Sequence, residues 1–386
     1  MNKKYLLILN NGSSSLKFAL FELKKKILGR EILAGSVTGN SQQSVLHYYL
    51  KGKLKKINYS EPHDLKNAWQ YIYSLVEEYN VGYVGFRMVH GGEEFVKTAR
   101  VNKQFLRKIV KYNKLAPLHN PWTVELMKLV KLYLPKVKVA ASFDTAWYQN
   151  LEPEAYLYSL PLKYYEQYQI RKYGFHGLSH EMATKYAAKR LNRKLNKLAV
   201  ITCHLGSGGS ITLFERGKVK DTTMGFSPNE GLTMATRSGD LPASIVFYLG
   251  SELKMSNNQI KNLLNKEAGL FGLSGMSDLR EILRAAGYRV TNYKSKKKFS
   301  IQQKKVARLA LAVYIYDIKR YLASYISLSK KLEAIVFTGA VGVNSSVIRK
   351  LALKDLAVPN KCKILIAPEG EIINLVDKTI KCLISK

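Results

Sequence analysis

The chain is poor in cysteine. It has only Cys203, Cys362 and Cys382 in 386 residues, and no two of them have CxxC spacing. So few and so widely spaced cysteines argue against a disulfide framework or a zinc site, and they are typical of a reducing compartment. The sequence also has no uninterrupted run of 18 apolar residues and no long apolar segment near its N-terminus. We therefore expect a cytoplasmic protein without a membrane span or a signal peptide.

Acidic residues are scarce as well. The chain has 28 Asp and Glu against 62 Lys and Arg, a formal net charge of +34. Such a charge favours non-specific binding of polyanions, including nucleic acids. The abundance of Lys, Asn, Ile and Tyr also fits simple compositional drift, and the sequence lacks the aromatic pattern of RNA-recognition modules. Polyanion binding is therefore expected only as a sequence-independent property.

A third absence is the Walker phosphate loop, GxxxxGK[ST]. In its place the chain has three turns of small residues after apolar runs, at 10–15, 204–210 and 338–342. Two of them are near-copies, LLILNNGSSSLKFALFE and LAVITCHLGSGGSITLFE, and each reads as strand, tight turn and return strand. Backbone N–H groups and hydroxyls in such turns bind anions. We predict a duplicated domain with two phosphate-binding turns across a central cleft.

The remaining pattern alternates strands with helices, which is typical of an α/β fold. We predict a first domain over 1–147, completed by a C-terminal helix at 371–386, and a nucleotide-binding domain over 148–370. A Tyr-rich stretch at 147–173 reads as irregular. The predicted helices are 64–79, 121–133, 179–191 with Ser179 as N-cap, 240–250, 302–327 and 371–384. The predicted strands outside the two copies are 81–92 (running into a Gly-rich turn), 137–146, 332–342 (running into the third turn) and 363–368.

Five polar residues stand where a strand ends or a glycine turn begins. They are Arg87, His119, Asp144, His176 and Arg237. Loops at strand ends are where α/β folds place catalytic groups. Taken singly, each arginine is more often a surface ion pair and each histidine a core residue. As a set they suit phosphoryl transfer, in which arginines clamp phosphoryl oxygens and fixed donors stabilise the spread charge.

Eight motifs in this order resemble the acetate kinase (acetokinase) family: NxGSSSLK, RxVHGG, LAPLHNP, FDTA, YGFHGxSH, HLGxG, GFxPxEG and TRSGD. The resemblance covers nearly the whole chain. It implies the duplicated α/β fold of the actin, Hsp70 and sugar kinase superfamily, with two domains around a cleft, and a homodimer. It also implies ATP as co-substrate, Mg²⁺ with Mn²⁺ as a substitute, and reversible phosphoryl transfer to acetate, giving acetyl phosphate.

The same resemblance implies roles for individual residues. It implies that the catalytic residues are Arg87, Asp144, His176 and Arg237. It implies that His119 and His204 help to stabilise the transition state. A small pocket for the acetate methyl group is implied at Val89, Leu118, Phe175 and Pro228. ATP contacts are implied at Ser13, Ser15, Lys17, His204, Gly206, Ser207, Gly208, Asp278, Arg280, Gly339, Ala340 and Gly342. Magnesium ligands are implied at Asn10 and Glu371, with Glu369 as the alternative.

The departures from the family pattern lie on the nucleotide side. Ser207 stands where the family has Asn, Ala340 where it has Gly, and Val343 where it has Glu. An acid is missing after Asp240, and the family's C-terminal Glu aligns with Gly370. The motifs on the carboxylate side are intact. Two alternatives therefore stay open: a propionate- or butyrate-type kinase, and a catalytically weakened homologue that binds nucleotide or RNA.

Overall fold

The computed structural model describes residues 3–12, 15–24, 27–117, 119–291, 293, 295 and 297–384. The strands are β1 Lys4–Asn11, β2 Ser15–Lys24, β3 Ile27–Gly39, β4 Ser44–Leu50, β5 Lys53–Tyr59, β6 Val81–Met88, β7 Ala99–Arg100, β8 Lys138–Phe143, β9 Ala199–Leu205, β10 Gly209–Glu215, β11 Lys218–Thr222, β12 Ala334–Thr338 and β13 Lys363–Ile366. The α-helices are α1 Leu65–Val76, α2 Lys103–Ile109, α3 Asn120–Tyr133, α4 Pro153–Tyr156, α5 Lys163–Tyr168, α6 Gly177–Arg190, α7 Ala243–Ser251, α8 Asn257–Asn262, α9 Gly269–Ser274, α10 Leu279–Ala285, α11 Ile301–Leu328, α12 Gly339–Asn344, α13 Ser346–Leu353 and α14 Glu371–Leu383.

The chain divides into two compact units, each built on one sheet. Unit 1 comprises Met1–Gln149 and Gly370–Lys386, and unit 2 comprises Asn150–Glu369. The sheet of unit 1 has the order β5-β4-β3-β2-β1-β6-β8-β7, and that of unit 2 the order β11-β10-β9-β12-β13. In both, the first strand of the repeat pairs antiparallel with the next strand and parallel with a later one. This shared core order confirms the predicted duplicated α/β fold.

The topology of unit 1 brings three predicted site residues to one sheet edge. Strands β1, β6 and β8 run parallel, so their carboxyl ends meet there. Asn10 is in register with Arg87, and Asp144 directly follows β8. Helix α14 packs against these same strands and buries Leu375 and Val376. Its first residue is Glu371, which therefore belongs to unit 1.

The structure corrects three expectations from the sequence. Helix α6 begins at Gly177, not at Ser179, because His176 turns the chain in the left-handed region (φ 58°) and occupies the N-cap position. The stretch at 147–173 is not wholly irregular. It holds α4, which starts at Pro153, and α5, which ends at a left-handed Gln169. After β12 the chain enters α12 directly at Gly339, so the third turn is the start of a helix.

The predicted hairpins and the longer helices agree with the structure to within a few residues. Strands β4 and β5 widen the sheet of unit 1 beyond the strand order that the two sheets share, and the sequence pattern did not predict β3, β4 or β5. None of the helices in the described part of the chain combines the length and the apolar character that crossing a bilayer requires.

Candidate active site

Arg87 is the centre of a polar cluster in unit 1. Its Nε and Nη2 donate to Asp144 at 3.1 and 2.6 Å, a bidentate pair. Its Nη1 donates to Asn10 Oδ1 at 3.1 Å, and Nε lies 2.9 Å from Glu371 Oε1. Asn10 Nδ2 in turn donates to Glu371 Oε2 at 3.1 Å. The structure thus brings four predicted site residues together.

The electrostatics of this cluster hold Arg87 charged. Burial favours its neutral form, but the charges of Asp144 and Glu371 outweigh this and raise the pKa of the guanidinium above its ordinary value. The Asp144 side chain is fully buried, whereas 13% of the Arg87 side chain remains exposed. A guanidinium has five N–H groups, and the described residues leave one N–H on each of Nη1 and Nη2 for another acceptor. A carboxylate or a phosphoryl group fits such a pair of donors.

The two candidate acidic metal ligands differ sharply. Glu371 lies in the Arg87 cluster, with 23% of its side chain exposed. Glu369 is exposed and belongs to unit 2. No group of three or more His, Cys, Asp or Glu side chains arranged for a metal occurs among the described residues. One carboxylate and one amide oxygen fit Mg²⁺, which takes most of its ligands from phosphates and water.

The other described residues predicted in unit 1 lie on β2, after β6 and before α3. Lys17 is exposed on β2, in register with Asn10, and the carbonyl of Ser15 accepts a hydrogen bond from Gly12 at 2.8 Å. Val89 is buried just after β6, and His119 precedes α3 as its N-cap residue. Ser13 and Leu118 lie outside the described residues.

Three histidines cluster in unit 2 at the start of α6. The rings of His176 and His204 are 4.2 Å apart between centroids. His176 Nδ1 lies 2.9 Å from Ser210 Oγ, and His204 Nδ1 lies 2.8 Å from Ser179 Oγ. Ser179 therefore supports a histidine instead of capping the helix.

The third histidine, His180, was missed by the sequence analysis. Its Nε2 lies 2.7 Å from Ser210 Oγ, so it reaches His176 through one hydroxyl. Burial, with a contribution from His204, holds the pKa of His180 well below its ordinary value and keeps the ring neutral. The available signal was spacing, because residues four apart in YGFHGLSH share one face of a helix.

Arg237 lies beside the second Gly/Ser turn. A Cβ atom built on Gly208 would be 3.3 Å from His176 Cε1 and 3.7 Å from Arg237 Nη1, so both side chains border the same glycine. Arg237 Nη1 also donates to the carbonyl of Pro228 at 3.1 Å. Pro228 is half-buried and Phe175 is fully buried. The turn, the histidine and the arginine therefore form one polar surface within unit 2.

The loop 231–240, which carries Arg237, is held by hydrogen bonds between its two ends and by hydrogen bonds to α11. The backbone N–H of Gly231 donates to Asp240 Oδ1 at 2.7 Å, and the N–H of Asp240 donates back to the carbonyl of Gly231 at 3.0 Å. Asp240 also accepts the hydroxyl of Tyr321, and Asp317 accepts a backbone N–H of the loop at 3.2 Å. These bonds limit the orientations open to Arg237.

A cavity of about 540 Å³ lies in unit 2, a volume typical of a small-molecule site. Five predicted ATP-contact residues line it: Gly206, Ser207, Asp278, Arg280 and Ala340. Asp278 caps α10 and pairs with Arg280 at 2.6 Å, and hydrogen bonding from Arg280 lowers the pKa of Asp278. The guanidinium of Arg280 also stacks on Tyr293 at 4.6 Å.

The third turn tolerates its unusual alanine. The positive φ of the turn (+76°) falls on Gly339, and Ala340 has no such strain. A Cβ on Gly339 would lie 2.6 Å from the carbonyl oxygen of Leu205, so only glycine fits there. Gly342 is buried in the same helix, α12. The substitution at 340 therefore costs the backbone nothing.

Comparison with known proteins gives a consistent result. The model of the acetokinase family matches residues 5–363. The chain is 38% identical over 365 residues to a protein named acetate kinase from Coprothermobacter proteolyticus, covering 91% of this chain and 86% of that protein. It is 37% identical over 393 residues to an acetate kinase from Thermoanaerobacterium thermosaccharolyticum, covering 98% and 94%.

Solved structures show the same similarity across the whole fold. A propionate kinase from Francisella tularensis superimposes with a TM-score of 0.87 at 32% identity, covering 99% of this chain and 100% of that one. The acetate kinase of Porphyromonas gingivalis gives a TM-score of 0.84 at 29% identity, with the same coverage.

Proposed function

The chain belongs to the acetokinase family, and on that premise we propose that it transfers the γ-phosphoryl group of ATP reversibly to acetate, giving acetyl phosphate and ADP. The observation that carries the proposal is the Arg87 cluster. It presents a charged arginine with two N–H groups that no described residue accepts, held in place by a fully buried carboxylate. Acetate is already ionised near pH 7, so its oxygen attacks the phosphoryl group without a general base.

Each unit contributes its own groups to this proposed reaction. In unit 1, Arg87 binds oxygens of the substrate, and Asp144 orients Arg87. In unit 2, Arg237 and His176 hydrogen-bond phosphoryl oxygens, with His204 in support. The cavity beside Gly206 and Asp278 takes ATP. Phosphoryl transfer depends mostly on positioning and on stabilising the charge of the phosphoryl oxygens, which suits a site rich in arginine and histidine.

The same proposal places Mg²⁺ at Glu371 and Asn10, with Mn²⁺ as a substitute. Bound Mg²⁺ supplies charge neutralisation on the ATP phosphates. Glu371→Gln keeps the size of the side chain and removes its charge. We therefore expect this variant to need a clearly higher Mg²⁺ concentration for half-maximal activity, measured by titrating Mg²⁺ at fixed ATP.

Glu369→Gln is the matched control for this titration. It also removes one negative charge, but from an exposed side chain two residues before Glu371 in the sequence. Its Mg²⁺ requirement should equal that of the parent. An unchanged requirement in Glu371→Gln would exclude Glu371 as a ligand.

The choice of acid is tested by a coupled assay of the full chain with ATP, Mg²⁺ and acetate, propionate or butyrate. We propose that Val89, Leu118, Phe175 and Pro228 limit the acyl group to a methyl. Since one methylene is worth about 1–3 kcal/mol in such a pocket, acetate should exceed butyrate by at least about tenfold in kcat/KM. A preference for propionate or butyrate would favour those kinases, and absence of acyl phosphate with each acid would favour a weakened homologue.

We also propose a cytoplasmic homodimer. Helix α7 and the residues beside it expose large apolar side chains, with Phe247 71% and Tyr248 58% exposed. The helix itself buries no residue in the described chain. An apolar helix without a buried face is typical of a protein–protein interface. Sedimentation equilibrium should therefore give twice the 43.7 kDa of one chain. A mass of 43.7 kDa at micromolar concentration would contradict this.

A further inference from the structure

A buried chain of hydrogen bonds runs away from His176 into the sheet of unit 2. Ser210 Oγ lies 2.9 Å from His176 Nδ1 and 2.7 Å from His180 Nε2. On its other side, His180 Nδ1 lies 2.6 Å from Thr202 Oγ1. The Thr202 hydroxyl donates to the carbonyl of Thr212 at 3.4 Å. Ser210, His180 and Thr202 have no exposed surface.

The contact between Thr202 and the Thr212 carbonyl, at the far end of this series, gives the proton direction that we infer. A carbonyl oxygen only accepts, so the Thr202 proton points to Thr212, and Thr202 Oγ1 accepts from His180 Nδ1–H. His180 is neutral because burial lowers its pKa, and a neutral imidazole that donates from Nδ1 accepts at Nε2. The Ser210 hydroxyl therefore donates to His180. Its oxygen then accepts from the Nδ1–H of His176.

We propose that His180 is a positioning residue that fixes the tautomer of His176, with the proton on Nδ1 and the lone pair on Nε2. The Nε2 edge faces the Gly/Ser turn, since a Cβ on Gly208 would be 3.5 Å from it and 3.7 Å from Arg237 Nη1. Phosphoryl oxygens accept hydrogen bonds. The neutral His176 ring therefore cannot donate to one from Nε2, and only the imidazolium can.

This inference rests on the proposed function only for its catalytic consequence. The tautomer itself is a property of the protein without substrate, so it can be measured whether or not the chain is a kinase. His204, at 4.2 Å between centroids, Arg237, and His180 through Ser210 are titratable or charged groups near the ring.

The test is nitrogen NMR of the full chain with ¹⁵N-labelled histidine, at a pH where the rings are neutral. The chain has seven histidines, and the His176→Gln variant identifies the resonance of His176 by its loss. In the parent we expect His176 as the Nδ1–H tautomer. Ser210→Ala removes the acceptor, so the Nε2–H tautomer should become the major one.

Thr202→Val tests the chain from its far end. It removes the acceptor of His180 Nδ1 and leaves Ser210 in place, so the direction of the bonds is no longer fixed. We expect His176 to become a mixture of both tautomers, although the mutation lies beyond both Ser210 and His180. A role in packing alone would leave the tautomer unchanged. Ser44→Ala, which removes a fully buried hydroxyl in unit 1, is the control and should leave His176 as in the parent.

Two results would overturn the inference. One is an Nε2–H tautomer of His176 in the parent, which would mean that the hydrogen bonds from His176 to Thr202 run in the opposite direction. The other is an unchanged tautomer in both Ser210→Ala and Thr202→Val. The catalytic consequence is tested by the pH dependence of kcat/KM. In the parent, kcat/KM should fall as the pH rises and His176 loses its second proton. This fall should be weaker in Ser210→Ala, because the neutral His176 ring of that variant can donate from Nε2 to a phosphoryl oxygen. If the chain forms no acyl phosphate, the proposed function fails while the tautomer result stands.

Discussion

Replacing Arg87 by lysine should lower kcat/KM by about 10²-fold or more, the scale of one lost transition-state donor. Lysine keeps the positive charge beside Asp144 and Glu371. It has no planar fork, so it cannot pair bidentately with Asp144 and still present donors to a substrate. Steady-state kinetics with acetate and ATP measure the loss, and circular dichroism with thermal unfolding checks the fold.

Arg87→Ala is the harsher variant and is expected to affect folding as well. It removes the guanidinium that pairs with the fully buried Asp144, a change that costs about 3–5 kcal/mol in comparable buried pairs. The lysine variant therefore separates catalysis from stability. Arg193→Lys is the control, because Arg193 pairs with Glu333 at 2.8 Å and is half-exposed. Exposed pairs contribute only about 0–1 kcal/mol, so this variant should keep the activity of the parent.

A folded Arg87→Lys protein with nearly full activity would exclude Arg87 from the reaction.

Arg237→Ala gives an independent measurement in unit 2. Arg237 Nη1 donates to the backbone carbonyl of Pro228 at 3.1 Å and lies 3.9 Å from the sulfur of Met234. We expect a similar loss of kcat/KM in a folded protein.

The sequence predicted the parts of the molecule that repeat or end in a turn. The two near-copies predicted the hairpins β1–β2 and β9–β10, because alternating apolar residues around a small-residue turn have few other solutions. The strand ends indicated Arg87 and Asp144 as candidate site residues. Parallel strands bring their carboxyl ends to one edge, and the structure joins these side chains at 2.6 Å.

What the sequence did not predict depends on contacts between distant segments. Glu371 is 361 residues from Asn10, and only the packing of α14 on β6 and β8 shows why it, and not Glu369, lies in the Arg87 cluster. His180 reads as an ordinary helical residue until β9 and β10 bring Thr202 and Ser210 to it. Strands β3 to β5 lack a turn signal as strong as that of the repeats.

The third turn supplies the second large expected effect. Gly339→Ala should weaken ATP binding and lower the unfolding temperature. An alanine at φ +76° costs about 1–2 kcal/mol, and its Cβ would lie 2.6 Å from Leu205 O and 3.0 Å from Leu205 N. These are backbone atoms of β9, so the strand end must move, and with it Gly206 at the cavity wall. We expect the KM for ATP to rise about tenfold, which corresponds to about 1.4 kcal/mol.

Gly52→Ala separates the strain of the backbone angle from the contact with Leu205. Gly52 has φ +77°, almost the same value, but a Cβ added there would have no atom within 4 Å, and the residue belongs to unit 1. Gly52→Ala should lose stability through the backbone angle alone and keep the parent's KM for ATP.

Ala340→Gly should also keep the parent's KM for ATP, because position 340 has no positive φ. If Gly339→Ala matched Gly52→Ala in both its unfolding temperature and its KM for ATP, the third turn would not control the nucleotide cavity. If Ala340→Gly alone changed the KM, the methyl group of Ala340, which lines the cavity, would be the determinant instead.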